Sequence, residues 1–327
     1  MTPLAVSMGD PAGIGPEIVG KAWEAREAAG LPPFAMIGDP AAVRAVWRGP
    51  LRPISSMAQV RAVFPRALPI LVTTEAGGLR VGRSDEHGAR AALDALETAV
   101  ALTRRGDARA LVTGPVAKAA LYAVGFDAPG QTEFVADRCG VPRQEAVMML
   151  AGPDLRVVPI TVHVPLADVP RLLTVELIVA RGRTTAAGLI RDFGIAAPRL
   201  AFAGLNPHAG ESGTIGGEEV AVMAPAIERL RAAGVDARGP FAADTLFHPR
   251  ARAEYDAALC PTHDQALIPI KTLHFDEGVN ITLGLPIVRT SPDHGTAFGI
   301  AGKDQAHPGA MIAAIRLAGE AVARRGG

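Results

Sequence analysis

Cysteine is scarce: Cys139 and Cys260 are the two in 327 residues, and they form no close-spaced pair. That excludes a disulfide framework and a zinc-thiolate site and suits a reducing compartment, with each thiol expected to act as a small buried hydrophobe. Net charge is also missing, since 33 Lys and Arg balance 33 Asp and Glu. A general nucleic-acid binder needs a surplus of cations to displace counterions from phosphates, so no nucleic-acid partner is expected. No apolar run approaches the roughly 20 residues of a membrane span, and Met1 to Asp10 carry neither a basic leader nor a long apolar core. The expected compartment is the cytoplasm, without a membrane partner. Aromatic residues make up 4%, so the core must be built from aliphatic side chains.

What is present is a chain of 49% hydrophobic and 20% charged residues, which excludes disorder along its whole length. The length points to two lobes. Short apolar runs read as strands: Leu4 to Met8, Phe34 to Ile37, Ile70 to Val72, Ala110 to Thr113, Val157 to Val162, Leu200 to Ala203, Ala257 to Cys260 and Ile287 to Thr290. Between them Ser84 to Arg105, Thr174 to Phe193, Glu218 to Ala233 and Pro308 to Arg325 have helical period. This alternation predicts an α/β architecture with largely parallel sheets covered on both faces.

Open α/β sheets bind ligands beyond the carboxyl ends of their strands. Three of the eight histidines fall in such turns: His163, His208 in Asn206-Pro207-His208-Ala209-Gly210, and His263 in Thr262-His263-Asp264-Gln265. Each alone is an ordinary structural histidine; three in equivalent turns describe an open catalytic metal site, with water or substrate completing the coordination. Imidazole ligands suit zinc, cobalt, nickel or iron(II). Downstream, Lys271, Asn280 and Arg289 occupy turn-rich positions that fit an anionic substrate, and Arg can fork two hydrogen bonds to carboxylate or phosphate. The glycine-rich turn from Gly9 to Glu17 opens a helix and suits a phosphate at that helix start. It matches neither G-x-G-x-x-G nor a Walker A loop. His87, His248, His274 and His307 read as surface or loop residues.

Several strings occur in order along the chain: Gly9-Asp10-Pro11-Ala12-Gly13-Ile14-Gly15-Pro16-Glu17, Gly114-Pro115-Val116-Ala117-Lys118, Gln131-Thr132-Glu133-Phe134, Asn206-Pro207-His208-Ala209-Gly210-Glu211, Ala243-Asp244-Thr245, His263-Asp264-Gln265, Asn280-Ile281-Thr282-Leu283-Gly284-Leu285-Pro286 and Asp293-His294-Gly295-Thr296-Ala297. Together they resemble the PdxA family, the 4-hydroxythreonine-4-phosphate dehydrogenases of vitamin B6 synthesis. The resemblance implies oxidation of the secondary alcohol of 4-phosphooxy-L-threonine with NAD or NADP, followed by decarboxylation to 3-amino-2-oxopropyl phosphate. It implies a divalent metal, zinc first and magnesium or cobalt as alternatives, held by His163, His208 and His263. Thr132, Lys271, Asn280 and Arg289 are the implied substrate contacts, and Gln131 joins them at a departing position where the family string reads His-Thr-Glu. Asp244 and Asp264 are expected to orient a metal-binding histidine, and with Lys271 they are the candidate catalytic residues. The implied fold is similar to isocitrate and isopropylmalate dehydrogenases: two α/β/α lobes around a central cleft, residues 1–130 with 297–327 and residues 131–296, in a homodimer whose metal site draws on both subunits.

Other readings stay open from the residues. PdxA-like relatives acting on 4-phospho-D-threonate or D-erythronate 4-phosphate would tolerate Gln131, while Lys271, Asn280 and Arg289 disfavour an uncharged dihydrodiol. A metal-dependent lyase or aldolase would use the same histidines without nicotinamide, and a non-enzymatic binding module would need neither.

Overall fold

The computed structural model describes residues 2–75 and 77–326. Met1 and Gly327, which the expected lobe limits include, lie outside the described residues. Two compact units are formed, Met1–Val141 with Leu285–Gly327, and Pro142–Gly284. The division falls at other places than the expected 130/131 and 296/297: helix Gln131–Cys139 and strand Val288–Pro292 belong to the first unit.

The strands of the described residues are β1 (Leu4–Ser7), β2 (Phe34–Gly38), β3 (Leu51–Ile54), β4 (Leu68–Val72), β5 (Ala110–Thr113), β6 (Val147–Ala151), β7 (Arg156–Pro159), β8 (Arg199–Ala203), β9 (Asp236–Phe241), β10 (Ala257–Cys260), β11 (Val279–Leu283) and β12 (Val288–Pro292). In the first unit the order is β3-β4-β2-β1-β5-β12 and every pair is parallel. Every residue of β1, β2 and β5 is buried, as expected of strands covered on both faces. Helices Glu86–Arg104 and Gly309–Arg325 supply much of that cover, packing on β1 and β5.

In the second unit the order is β11-β6-β7-β10-β8-β9. Strands β7, β10, β8 and β9 run parallel, whereas β6 is antiparallel to both β11 and β7. Its core is aliphatic, as the aromatic shortage requires: Leu150, Val157, Ala201, Ala258 and Ile270 pack around Tyr255 and the Cys260 thiol. Both cysteines are free, but Cys139 is only half-buried, so the small-hydrophobe expectation fits Cys260 alone. Among the described residues no helix is long and apolar enough to cross a membrane.

Candidate functional site

In the second unit the ends of β7 and β10 are stitched together. The Ile160 N–H donates to the Cys260 carbonyl at 2.7 Å, and the Thr161 hydroxyl donates to the Pro261 carbonyl at 2.6 Å. The run expected to continue to Val162 therefore stops as a strand at Pro159, and the turn brings His163, at φ 54°, beside His263. Their ring centroids are 5.5 Å apart.

His263 opens helix His263–Leu273, which starts with a capping box: the Thr262 hydroxyl accepts from the Gln265 N–H, and the Gln265 carbonyl oxygen accepts from the Thr262 N–H. The Gln265 amide also donates to the Gly204 carbonyl at the end of β8. Asp264 Oδ1 lies 2.8 Å from His263 Nδ1. His163, His263, Asp264 and Asp244 line a cavity of about 660 Å³ together with the apolar Val164, Leu166, Phe247 and Ile268.

His208 does not line that cavity. It sits exposed in the turn Pro207–Gly213, where His208 to Ser212 all have positive φ, between 41° and 73°. Four of those five are not glycine, and such residues cost of order 1 kcal/mol or more each unless their surroundings impose the conformation. Glu218 and Glu219 provide the anchor. The Asn206 N–H donates to Glu219 at 2.7 Å, and the Asn206 amide reaches Glu218 at 2.8 Å and Glu219 at 3.0 Å. The Asn206 amide beside Glu218 holds that carboxyl below its ordinary range. Glu219, buried, opens a π-helical turn Glu219–Met223, a form that often marks functional sites. The His208 turn packs against Ala243–Thr245, which carries Asp244. Among the described residues, no three His, Cys, Asp or Glu side chains stand close enough to hold a metal ion.

Of the substrate candidates, Lys271 lies in the last turn of the helix that His263 opens, and Asn280 lies in β11 opposite Leu150 of β6. Neither lines the histidine cavity. The Asn280 Oδ1 is buried without a hydrogen-bond partner.

The first unit holds the others. Arg289, second residue of β12, is 2% exposed. Its guanidinium donates to the Thr113 hydroxyl at the end of β5 at 2.7 Å and to the Thr132 hydroxyl at 3.4 Å. Burial pushes its pKa down to about 10, against the attraction of Glu133, so it is charged at neutral pH. Thr132 lies in the first turn of helix Gln131–Cys139, whose free amides favour an anion. The Gln131 amide N–H donates to the Gly114 carbonyl at 3.2 Å, and its Oε1 is buried without a hydrogen-bond partner. Because Gly114 offers an oxygen, the amide must face it with nitrogen. The side chain therefore presents an acceptor.

Sequence reasoning missed several residues. The first glycine-rich turn is held by three other segments: the Asp10 N–H donates to Pro115, the Ile14 N–H to Thr296, and Ser84 to the buried Asp10 carboxylate. Gly15 is obligatory, since a Cβ there would stand 2.0 Å from the Met8 carbonyl oxygen. The Lys118 ammonium lies 3.6 Å from where a Cβ on Gly130 would stand, beside the Gln131 helix start. His294 Nε2 is buried without a hydrogen-bond partner. His274, expected at the surface, is half-buried and paired with Asp154. The glycine spacing was the available signal for the first turn; the others depend on contacts between distant segments.

Residues 32–318 match the family described as "Pyridoxal phosphate biosynthetic protein PdxA". Over 325 residues the chain is 57% identical to a 4-hydroxythreonine-4-phosphate dehydrogenase of Zymomonas mobilis subsp. mobilis, covering 99% of this chain and 97% of that protein. The crystal structure of a 4-hydroxythreonine-4-phosphate dehydrogenase from Klebsiella pneumoniae superimposes with a TM-score of 0.87 at 36% identity, covering 99% of this chain and 98% of that one. A terephthalate 1,2-cis-dihydrodiol dehydrogenase from Burkholderia xenovorans stands further off, with a TM-score of 0.64 at 28% identity over 97% of both chains.

Proposed function

Because the chain belongs to the PdxA family, we propose that it oxidises 4-phosphooxy-L-threonine at its secondary alcohol with NAD. The 2-amino-3-oxo-4-phosphooxybutanoate formed then loses carbon dioxide to give 3-amino-2-oxopropyl phosphate, for pyridoxal phosphate synthesis. The observation that carries the chemistry is the adjacent pair of imidazoles, His163 and His263, in a cavity that also holds Asp264 and Asp244.

That donor set fits a divalent cation, zinc before magnesium or cobalt. His163 and His263 would hold it, and His208 would complete the set from its strained turn, across a homodimer interface. When bound, the cation would supply positive charge at the reacting oxygen and the nicotinamide an acceptor for hydride. The chain's own residues do the rest. Asp264, 2.8 Å from His263 Nδ1, would accept a proton held there and so leave Nε2 as the metal-binding nitrogen. Asp244, which lines the same cavity, takes the alcohol proton. In the first unit Arg289 and Thr132 are the proposed contacts to the anionic end of the substrate; in the second unit Lys271 and Asn280 stay as candidate substrate contacts. Gln131 offers an acceptor and so receives a hydroxyl or ammonium of the substrate, leaving phosphate oxygens to Arg289. In the first unit, the Gly9–Gly15 turn and the loop after β12 that carries His294 would hold the nicotinamide cofactor.

The cytoplasm is the proposed compartment, where Cys139 and Cys260 stay as thiols. The full-length likeness to phosphate-substrate dehydrogenases favours this reading over a dihydrodiol, and the uncharged Gln131 keeps a phosphorylated sugar acid as the second reading. The test is reduced-nicotinamide formation by zinc-loaded protein offered 4-phosphooxy-L-threonine, 4-phospho-D-threonate and D-erythronate 4-phosphate in parallel. Turnover of the first with aminoketone phosphate appearing is expected. Turnover of a sugar acid alone would move the substrate assignment, and no reduction with any would overturn it. His208→Ala and His263→Ala should each lose bound metal while keeping the fold.

A further inference from the structure

The chain has only two Trp, two Tyr and ten Phe, yet Tyr122, Phe126 and Phe134 gather around one turn of the first unit. Phe126 stacks on Phe134 with ring centroids 5.0 Å apart and planes at 22°, and the Tyr122 ring lies 6.1 Å from that of Phe126. Both separations are those of attractive aromatic pairs. The Arg138 guanidinium stands 4.3 Å from the Phe134 centroid, within cation–π range. It also grips Glu97, with Nε 3.0 Å from each carboxylate oxygen and Nη2 2.6 Å from one of them. Phe126 and Phe134 are buried.

This ladder supports a turn that lacks support of its own. Helix Gln131–Cys139 opens at Gly130 without a side-chain cap, whereas the helix that His263 opens has a capping box. Phe126 precedes Gly130 and Phe134 follows it, so their stacking ties together the two ends of the segment that carries Gln131 and Thr132. Arg90 donates to the Val124 carbonyl at 2.9 Å, and the Tyr122 hydroxyl donates to the Pro129 carbonyl at 3.4 Å. Arg90 and Glu97 both belong to helix Glu86–Arg104, about two turns apart, and one face of that helix braces the segment before and after the turn. Thr132 meets Arg289 at 3.4 Å, the long end of a hydrogen bond. A small shift of the turn would break that contact.

We propose that Phe126 and Arg138 are positioning residues for the anionic end of the substrate, holding the turn at 130–132 so that Thr132 stays against Arg289. This rests on the reading of Thr132 and Arg289 as substrate contacts. The test joins steady-state kinetics of the zinc-loaded full chain with amide hydrogen exchange. Phe126→Leu keeps an apolar side chain and removes the flat ring. It should raise KM for 4-phosphooxy-L-threonine about threefold to tenfold, the worth of an aromatic pair, with kcat, KM for NAD and bound zinc unchanged. In a Thr132→Val background the same substitution should raise KM no further, because both act through one contact. A merely structural ring would show its full factor again. Arg138→Leu, on a partly exposed side chain, should reproduce the pattern, and replaces Phe126→Leu should that variant not fold. The Phe134 amide donates to the Gly130 carbonyl at 3.0 Å, and in Phe126→Leu its exchange should quicken about threefold to tenfold while the amides of β10 keep their protection. Should the natural chain turn over no phosphorylated substrate, the functional reading fails, and the exchange result alone decides whether the ladder holds the turn. Unchanged exchange at Phe134, a KM effect undiminished by Thr132→Val, or parallel loss of kcat and zinc would overturn the proposal.

Discussion

Arg289 concentrates the electrostatic logic of the first unit in one side chain. Burying a guanidinium costs several kcal/mol unless hydrogen bonds and an opposite charge compensate it, and here the Thr113 and Thr132 hydroxyls accept from it while Glu133 attracts it. In the proposed substrate site a phosphate or carboxylate would add to that compensation. Lysine keeps the charge but offers one nitrogen where the guanidinium spans both hydroxyls, so Arg289→Lys should raise KM for the phosphorylated substrate about tenfold to a hundredfold, the value of a charge-assisted hydrogen bond. Steady-state kinetics would show it as a KM effect with kcat little changed. Asp10 illustrates the opposite sign of charge. Burial raises its pKa above 3.8, against hydrogen bonds from Ser84 and the Ala12 N–H. The folded state therefore holds this proton more tightly than the unfolded chain, and stability falls as pH climbs from 3.8 through the raised value. Asparagine can accept from Ala12 and donate to Ser84 without ionising. Asp10→Asn should thus gain on the natural protein in thermal unfolding as pH rises from the acid range to neutrality, and parallel profiles would refute the assignment.

Among the elements, helix His263–Leu273 sets the geometry of the histidine pair, because its capping box fixes where His263 starts. Removing the Thr262 hydroxyl should cost about 1 kcal/mol. Thr262→Ala should accordingly lower the midpoint of urea unfolding and weaken metal binding, while a variant in an exposed turn elsewhere changes neither; unaltered metal affinity would separate the cap from the site. The elements also show what was legible in the sequence. Runs such as Leu4 to Ser7 and Ala257 to Cys260 announce themselves because both faces are buried and every residue but Ser7 is apolar. Strand β3 contains Arg52 and Pro53 on an exposed edge, and β9 contains Asp236, Arg238, Gly239 and Pro240, so neither carries an apolar run. The antiparallel placing of β6 is a pairing between distant segments that no single strand records. The same limit governs the sites. Histidines after strand ends could be picked out, but the contact of Arg289 with Thr113 joins residues 176 apart, and the Glu219 anchor of the His208 turn lies in an irregular helix.

At the level of the whole molecule, an aromatic-poor chain leaves conspicuous apolar surface where little should be spare. In the second unit Leu166 is 73% exposed and Ile268 63%, and both line the histidine cavity. Exposed apolar patches beside a site generally mark a surface that another molecule covers. The proposed homodimer explains this together with the placing of His208 outside the cavity wall, since a second copy would bury the rim and close the metal site at once. Leu166→Asp with Ile268→Asp puts two desolvated carboxylates into such an interface, a cost of several kcal/mol. Sedimentation equilibrium should find the natural chain dimeric and the double variant dissociated. The circular dichroism spectrum should be unchanged, because both positions are surface-exposed in the single chain. Metal content and turnover should fall with dimerisation and recover partly at high protein concentration, as mass action requires. A monomeric natural chain with full metal content would show that one subunit closes the site alone, by moving the His208 turn toward the cavity that His163 and His263 line.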